Sequence, residues 1–354
     1  MAYILGINIS HNPSICLLKD NTPVLFHEEK VDLFNSKSDI ICTGIKKLLD
    51  QTIYIDDIIF ASYRRDPDKE FIDKELIDGY LNLLSKAGIY FGSIHYFPKQ
   101  HHIYHACKGI YESGFKSAAI IIEDGAGAYM DHLPFHREIE SIYHMKSIKN
   151  IHSVYKHYSS YYYNLQERGN YPLLPLSNFP NSLLKDKSDL IEYLISDKIS
   201  IGQWFTETAI EMFRHYDPNQ IMNLSKQSSK EFHNAEYINN INNTSYLDLY
   251  PAQARSLVNS FDIKNCADLA KQIQFESKEL TCKLIEKAIY STGENNIILS
   301  GGYFMNSINN KEYVKTFPNI NFYIDPKAYD GGTSVGAAYY LYGLKNDTSY
   351  GRQP

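Results

Sequence analysis

The chain has 354 residues, of which 44% are hydrophobic and 21% are charged, and its formal net charge is -6. This composition is ordinary for a folded protein that buries a sizeable core, and the acidic balance excludes nucleic-acid binding by bulk electrostatics. The five cysteines form no CxxC pair, which favours reduced thiols and a cytoplasmic location. Neither a signal peptide nor a membrane span is predicted, because MAYILGINIS lacks a charged n-region and no apolar run is long enough.

The first part of the chain predicts short strands followed by helices. Residues 3–9 form a buried strand pattern, and SICLLKD and VLFHEE complete a β-meander around the turn at 21–23. The region 40–60 contains a helical stretch, IICTGIKKLLDQT, and then a strand-like stretch, DIIFASY. Apolar residues at helical spacing predict an amphipathic helix over 72–89.

The segment KQHHIYHACKGI opens the next predicted helix, which covers 101–113. A spacing of four residues places His101 and His105 on one helix face, with His102 beside them. Two imidazoles and one carboxylate can form a facial metal triad with open positions for a substrate, and Asp330 at a glycine-rich helix start is the candidate carboxylate. From spacing by itself, hydrogen-bonded histidines on an ordinary helix remain the alternative.

A second strand–turn–strand pattern begins at AAIIIEDGAGAY, where a buried strand breaks into a glycine turn. Further strands are predicted at 138–146 and 151–158, whereas the region 131–250 is largely irregular apart from a helix in SIGQWFTETAIEMF. The clearest helix is 267–292, and it stops at Gly293.

The last predicted elements are two strands, NIILSGG and NFYID, and a helix within PKAYDGGTSVGAAYYLYG. Two related halves indicate an α/β fold of two lobes with a central cleft. The expected division is an N-terminal lobe at 1–115 and a C-terminal lobe at 116–354.

Three turns at strand ends are candidates for binding phosphate, because glycine there lets backbone N–H groups approach an anion closely. Open α/β sheets bind ligands at such strand ends, so three turns together are more persuasive than one. Each turn by itself is equally well explained as a tight turn or the start of a helix. The residues concerned are Asn12, Ser14, Gly125, Gly127, Gly301 and Gly302.

Six motifs in order resemble the NodU/CmcH-type O-carbamoyltransferase family. YILGINISHNPSICLLKDNTPVLFHEEK is similar to the family's opening, HHIYHA to its His-His-x-x-His-Ala motif, and IIIEDGAGAY to its strand followed by Asp-Gly-x-Gly. The family's Ser-Leu-Gly helix is matched by ISIGQWFTETAIEMF, and its Gly-Gly-x-x-x-Asn turn resembles NIILSGGYFMNSINN. Its final Asp-x-Gly motif resembles PKAYDGGTSVGAAYY. The order and approximate spacing agree across nearly the whole chain.

The resemblance implies the duplicated fold shared by sugar kinases, actin and heat-shock ATPases. It implies that His101, His105 and Asp330 bind a divalent metal, namely iron. It places the phosphate and adenosine of the donor, carbamoyl-adenylate, against the glycine turns. The acceptor is then a hydroxyl of a small molecule, sugar or modified nucleotide, and the products are a carbamate ester and AMP. The region 131–250 is expected to shape the acceptor site.

Attack by an acceptor hydroxyl requires a base. His11 is the first candidate, because an imidazole titrates near neutral pH, and phosphate binding or turn capping is its alternative role. Asp124 follows a buried strand and is the second candidate, either as the base or as the group that orients a metal-bound water. Asn306 is expected to contact the ribose or phosphate, and Gly331 and Gly332 to complete the nucleotide-contacting set.

The chain departs from the family at two motifs. The family's Glu-Glu-Arg reads Glu28-Glu29-Lys30 here, so a forked guanidinium is replaced by a single ammonium. Its Gly-Lys-x-Met-Gly-Leu-Ala stretch corresponds to NQIMNLS at 219–225, without the lysine and the glycines.

Family members usually continue into a YrdC-like domain that makes carbamoyl-adenylate from carbamoyl phosphate and ATP. We expect no such domain after the last predicted helix. We therefore expect the chain to transfer the carbamoyl group but not to make the carbamoyl-adenylate. It would then depend on a separate YrdC-like partner or on a different donor. Two alternatives stay open: a relative of the tRNA threonylcarbamoyl-transferases, which also use a separate YrdC-type partner, and a non-catalytic scaffold paralogue. No membrane partner is expected, and direct nucleic-acid binding is disfavoured.

Overall fold

The structure is a computed structural model in which two β-sheets frame the protein. Both sheets are mixed, and helices pack on their faces. The residues that it describes are 2–10, 12–28, 44, 47–48, 54–61, 70–125, 127–130, 133–147, 150–160, 192–196, 218–230 and 263–346.

The first sheet confirms the predicted N-terminal meander. Its strand order is β3-β2-β1-β4-β5, with β1 antiparallel to β2 and parallel to β4. Its strands are Tyr3–Asn8 (β1), Ser14–Lys19 (β2), Thr22–Glu28 (β3), Ile55–Ala61 (β4) and Phe91–Tyr96 (β5). The helix predicted at 72–89 spans Glu70–Lys86 (α1) and ends just before Gly88, whose φ of 79° breaks the helix.

The second sheet has the order β10-β9-β8-β6-β11-β12, and β7 pairs with β8. Its strands are Ala118–Glu123 (β6), Tyr129–Met130 (β7), Leu133–Ser147 (β8), Asn150–Ser160 (β9), Glu192–Ser196 (β10), Asn296–Ser300 (β11) and Asn321–Ile324 (β12). The pieces predicted at 138–146 and 151–158 lie within one long hairpin, β8–β9. Register shifts interrupt the regular alternation of side chains between the two faces of this hairpin. The sequence pattern therefore showed only the central parts of its strands.

The remaining α-helices with described bounds include those predicted at 101–113 and 267–292. They are His101–Ser113 (α2), Pro218–Ser225 (α3), Ile263–Thr292 (α4), Ser307–Thr316 (α5) and Thr333–Asn346 (α6). The helix predicted at 101–113 is confirmed, and α4 begins earlier than the predicted 267–292. Gly293, with φ of 68°, ends α4 where the sequence indicated.

Alternating side chains divide the core between the two faces of each sheet. On β6, Ile120 and Ile122 pack with α2 and α6, whereas Ala119 and Ile121 pack with α4. The helices α2 and α6 therefore lie in a layer that contacts both sheets, because the same core contains Ile4 of the first sheet.

Two glycines allow α6 to approach its neighbours closely. A Cβ on Gly336 would overlap the backbone carbonyl of Tyr104 in α2, and a Cβ on Gly6 would overlap that of Ser334 in α6. The backbones of α2, α6 and β1 are thus packed against each other with no space for a methyl group. This packing fixes the start of α2 relative to the first sheet.

Several predictions fall outside the described residues. They concern His11, most of the helix predicted in IICTGIKKLLDQT (40–52), and the helix predicted in SIGQWFTETAIEMF. The division of the chain at 115/116 stays a prediction. Among the helices that the structure describes, none combines the length and the apolar character needed to span a bilayer.

Candidate functional site

Four buried side chains converge where α2 begins. His101 and His105 come from α2, Asp124 follows β6, and Asp330 begins the turn before α6. One ligand atom from each of the four lies within 4.8 Å of the others. The predicted triad of His101, His105 and Asp330 is therefore brought together, and Asp124 joins it.

The strand order explains this convergence. Because β6 runs parallel to β11 and β11 parallel to β12, the segments that follow these strands meet at one edge of the sheet. The His101 Nε2 atom lies 2.9 Å from Asp124 Oδ2 and 3.4 Å from Asp330 Oδ1. His105 Nε2 lies 3.8 Å from the same Asp330 Oδ1.

The two carboxylates beside His101 favour its protonated form. Burial lowers the pKa of His101, but the charge of Asp330 and the hydrogen bonds to Asp124 and Asp330 outweigh it and raise the pKa to about 10. The imidazolium is thus the cation that balances two buried carboxylates when no metal is bound.

Asp124 anchors two of the glycine turns. Its Oδ1 accepts hydrogen bonds from the backbone N–H of Gly125 at 2.9 Å and from that of Gly302 at 3.3 Å. Burial and the charge of Asp330 raise the pKa of Asp124, but its hydrogen bond to His101 and the charge of that ring hold the pKa well below its usual range. A carboxylate of such low pKa is a weak base at neutral pH, which favours a positioning or ligating role.

His105 is the strongest indication that this cluster is built for a metal. Both of its ring nitrogens are buried, and neither has a hydrogen-bond partner in the part of the chain that the structure describes. Leaving a buried polar atom unpaired costs about 1–3 kcal/mol, and coordination to a metal would offset this cost. Two imidazoles with two carboxylates form a donor set suited to Fe²⁺, Mn²⁺ or Zn²⁺.

The turn after β1 lies against the same cluster. Asn8 Nδ2 donates to the backbone oxygens of Asn12 at 2.7 Å and of Asp330 at 2.8 Å. Ser14 Oγ donates to the backbone oxygen of Gly331 at 2.7 Å. Sequence reasoning named Asn12 and Ser14 but missed Asn8, whose signal was a polar residue ending an apolar strand.

Two of the predicted phosphate-turn glycines are required by protein packing. A Cβ on Gly127 would lie 2.6 Å from His102 Nε2 and 2.8 Å from the backbone oxygen of Glu138. Gly301 has a φ of 102°, and a Cβ there would overlap the backbone of Glu123. Their contact with a phosphate stays a prediction.

The glycines beside Asp330 are equally enclosed. A Cβ on Gly331 would lie 2.5 Å from Glu28 Oε1, and one on Gly332 would lie 3.0 Å from Lys108 Cδ. Glu28, the first residue of the Glu-Glu-Lys motif, also accepts a hydrogen bond from the Tyr329 hydroxyl at 2.5 Å. The end of β3 therefore packs on the turn that presents Asp330.

His102 points away from the cluster into a polar network of the second sheet. Its Nδ1 lies 2.9 Å from Ser141 Oγ, which donates to Glu138 Oε1 at 2.7 Å. Lys156 Nζ lies 2.9 Å from the same carboxylate oxygen. Burial lowers the pKa of His102 to about 4, so the ring is neutral. Of the three histidines in HHIYHA, His101 and His105 face the cluster carboxylates Asp124 and Asp330, whereas His102 faces Glu138.

Asn306 is engaged within the protein. Its Nδ2 donates to Gln274 Oε1 at 2.5 Å, and its Oδ1 accepts from Gln274 Nε2 at 3.2 Å and from the backbone N–H of Asn309 at 3.3 Å. It caps α5 and ties that helix to α4. The predicted contact with ribose or phosphate would have to replace these bonds.

Comparison with solved structures shows the duplicated fold of sugar kinases, actin and heat-shock ATPases. Full-length HypF in a phosphate- and nucleotide-bound form is similar at a TM-score of 0.56 and 15% identity, over 99% of this chain and 47% of that one. HypF of T. kodakarensis is similar at a TM-score of 0.56 and 14% identity, over 97% of this chain and 47% of that one. The activator of 2-hydroxyisocaproyl-CoA dehydratase from Clostridium difficile, with bound ADPNP, is similar at a TM-score of 0.51 and 11% identity. The match covers 98% of this chain and 96% of that one.

The chain spans about half the length of the HypF structures that it matches. No curated protein sequence matches it. The family model described as carbamoyltransferase N-terminus matches residues 88–339, which is well over half of the chain and includes the whole four-residue cluster. The chain therefore belongs to the carbamoyltransferase N-terminus family.

Proposed function

We propose that this chain is an O-carbamoyltransferase that moves a carbamoyl group from carbamoyl-adenylate to a hydroxyl of a small molecule, sugar or modified nucleotide. The observation that carries this proposal is the four-residue cluster of buried imidazoles and carboxylates, with two glycine turns anchored on one of its carboxylates. Its place at the ends of parallel strands is where α/β sheets bind ligands. Family membership supports carbamoyl transfer in general.

In this proposal His101, His105 and Asp330 hold a divalent metal, iron in our assignment, with Asp124 as a further oxygen donor within reach. When bound, the metal supplies a Lewis acid for the oxygens of the donor. Asp124 also holds the backbone N–H groups of Gly125 and Gly302, and so sets the two turns against which the phosphate and adenosine would lie.

The transfer step forms one bond and breaks one. The acceptor oxygen bonds to the carbamoyl carbon, the bond from that carbon to the phosphate oxygen of AMP breaks, and the hydroxyl proton passes to a base. We assign the base to His11, since Asp124 has a pKa too low to take a proton efficiently at neutral pH. Holding donor and acceptor in one cleft provides the positional part of the rate.

We further propose a cytoplasmic enzyme that receives its donor from a separate YrdC-like protein, which makes carbamoyl-adenylate from carbamoyl phosphate and ATP. In this proposal the residues 131–250 shape the acceptor site between an N-terminal lobe at 1–115 and a C-terminal lobe at 116–354. Bulk electrostatics give no reason to expect a nucleic-acid partner, because the net charge is -6.

The test is reconstitution of transfer. The purified chain is incubated with carbamoyl phosphate, ATP and a panel of hydroxyl compounds, with and without a YrdC-like enzyme. We expect a carbamate ester, detected by mass spectrometry, only when the second enzyme is present, in amounts that depend on the acceptor.

Other outcomes would overturn this proposal in distinguishable ways. ATP turnover by this chain with no second enzyme would mean that it activates its own donor or acts as a kinase-like enzyme. tRNA binding at physiological salt would favour the threonylcarbamoyl-transferase reading. Affinity for neither metal nor nucleotide would favour a scaffold.

Metal binding should release a proton from His101. Its pKa of about 10 means that the ring is protonated at pH 8 in the metal-free protein, whereas a coordinating imidazole must be neutral. We expect about one proton released per metal, so the metal affinity should rise about tenfold per pH unit until the pH approaches the His101 pKa. Calorimetric titration with Mn²⁺ in two buffers of different ionisation enthalpy measures this release. An identical heat in both buffers would contradict the proposed ligand role of His101.

A further inference from the structure

Lys108 is a buried charge on the same face of α2 as the metal-ligand histidines. It follows His105 by three residues, one helical turn further along. Its side chain is only 1% exposed. Removing an ammonium group from water is costly unless it is paired and hydrogen-bonded, so its partners reveal what it does.

The main partner of Lys108 is Asp325, which directly follows β12. Lys108 Nζ forms an ion pair with the Asp325 carboxylate and another with Glu112, at 2.7 Å. The Asp325 carboxylate also accepts hydrogen bonds from Ser300 Oγ and from the backbone N–H of Lys327, each at 2.9 Å. One carboxylate thus ties α2 to the end of β11 and to the loop after β12.

That loop is the segment that leads to Asp330. The methylene stem of Lys108 lies close to Gly332: a Cβ added there would overlap the backbone oxygen of Lys327 and would lie 3.0 Å from Lys108 Cδ and 3.2 Å from its Cε. Lys108 therefore contacts the loop through its charge at Asp325 and through its stem at Gly332. Because Asp330 lies between these two contacts, its distance from the histidines depends on both.

We propose that Lys108 and Asp325 form a buried ionic latch that positions Asp330 against His101 and His105, and so sets the metal affinity of the site. The inference rests on the proposed metal site. Neither latch residue belongs to the four-residue cluster. They hold the ligand-bearing helix and the ligand-bearing loop at a fixed separation, as outer groups of metal sites commonly do.

A purely electrostatic role is the competing explanation. A lysine cation near a metal disfavours binding, and Asp325 would then act only by neutralising it. The two explanations predict different behaviour of a double variant. Lys108→Met with Asp325→Leu removes both buried charges of the latch and leaves only the partly exposed Glu112 without its lysine, whereas Asp325→Asn removes the latch and leaves Lys108 with Glu112 as its ion-pair partner among the described residues.

The experiment is a Co²⁺ titration of the full chain, followed by the visible absorption bands of the bound ion. We expect Asp325→Asn and the double variant each to weaken Co²⁺ binding about 10- to 100-fold and to shift these bands. Wild-type affinity in the double variant would overturn the positioning role and leave only charge neutralisation. Wild-type affinity in Asp325→Asn would overturn the latch entirely.

Asp57→Asn is the matched control. Asp57 is a buried carboxylate that pairs with Lys345 and lies 2.8 Å from His95 Nε2. Lys345 lies near the far end of α6, roughly 18 Å from the helix start beside Asp330 at 1.5 Å per residue. We expect this variant to lose stability without losing Co²⁺ affinity.

A milder variant is expected to fold even if Asp325→Asn does not. Ser300→Ala keeps the ion pair and removes one hydrogen bond to Asp325, and we expect it to fold and to bind Co²⁺ about fivefold more weakly. If Asp325→Asn fails to fold, wild-type affinity in the double variant, which buries neither charge of the latch, would overturn the proposal. Failure of the wild type to bind Co²⁺ would instead remove the proposed metal site, and the latch with it.

Discussion

Replacement of His105 by alanine is expected to weaken divalent-metal binding more than about 100-fold and to abolish carbamoyl transfer. His105 supplies a buried nitrogen that has no hydrogen-bond partner among the described residues, so its removal deletes a ligand without breaking a hydrogen bond. Loss of an outer group already costs 10- to 100-fold in comparable sites, and a direct ligand should cost more. Metal content after purification and the Mn²⁺ affinity measure the first effect, and the reconstituted transfer assay measures the second.

The stability of the same variant separates a ligand from a structural histidine. His105 forms no hydrogen bond in the described structure. In the absence of metal, the His105→Ala variant should therefore be destabilised only by the cavity that the missing ring leaves. His144→Ala is the control, because His144 bonds to Glu294 at 2.9 Å outside the four-residue cluster. Transfer activity with metal still bound in His105→Ala would contradict the triad.

Replacement of Gly336 by alanine is expected to destabilise the fold by about 3 kcal/mol or more. The added methyl group would overlap the carbonyl of Tyr104, which belongs to the backbone of α2 and cannot rotate away. Overpacking of cores typically costs 1–3 kcal/mol, and a clash between two helix backbones lies at or above the upper end. The free energy of unfolding from urea denaturation measures the effect.

Gly79→Ala provides the internal comparison for this prediction. Gly79 lies within α1, and no heavy atom lies within 4 Å of the place where its Cβ would be. Alanine there should stabilise the protein by roughly 0.5–1 kcal/mol, because it removes backbone entropy from the unfolded chain. Equal effects at the two positions would show that the close approach of α6 to α2 is absent in solution.

Gly336→Ala should also disturb the metal site at a distance. The clash pushes on Tyr104, which is the residue directly before His105. A displaced α2 would move both imidazoles relative to Asp330. Metal affinity should therefore fall in any Gly336 variant that folds, and the same titration as above detects it.

Much of the fold was predictable because local patterns carry it. The helix at 101–113 and the end of α4 at Gly293 follow from helical spacing and from a residue that tolerates positive φ. The long hairpin β8–β9 was predicted only in its centre, because bulges disturb a period of two. Iron, carbamoyl-adenylate and the base His11 stay predictions.

The sequence by itself determined that His101 and His105 share one helix face, since a spacing of four residues is a property of the helix alone. It also placed Asp124 and the glycine turns at strand ends. Only the tertiary structure decided that Asp124 lies beside Asp330, some 200 residues later, and that His102, as a neutral ring, joins the network of Ser141 and Glu138 instead. Such contacts depend on which strands are neighbours and run parallel, and no local period encodes that order.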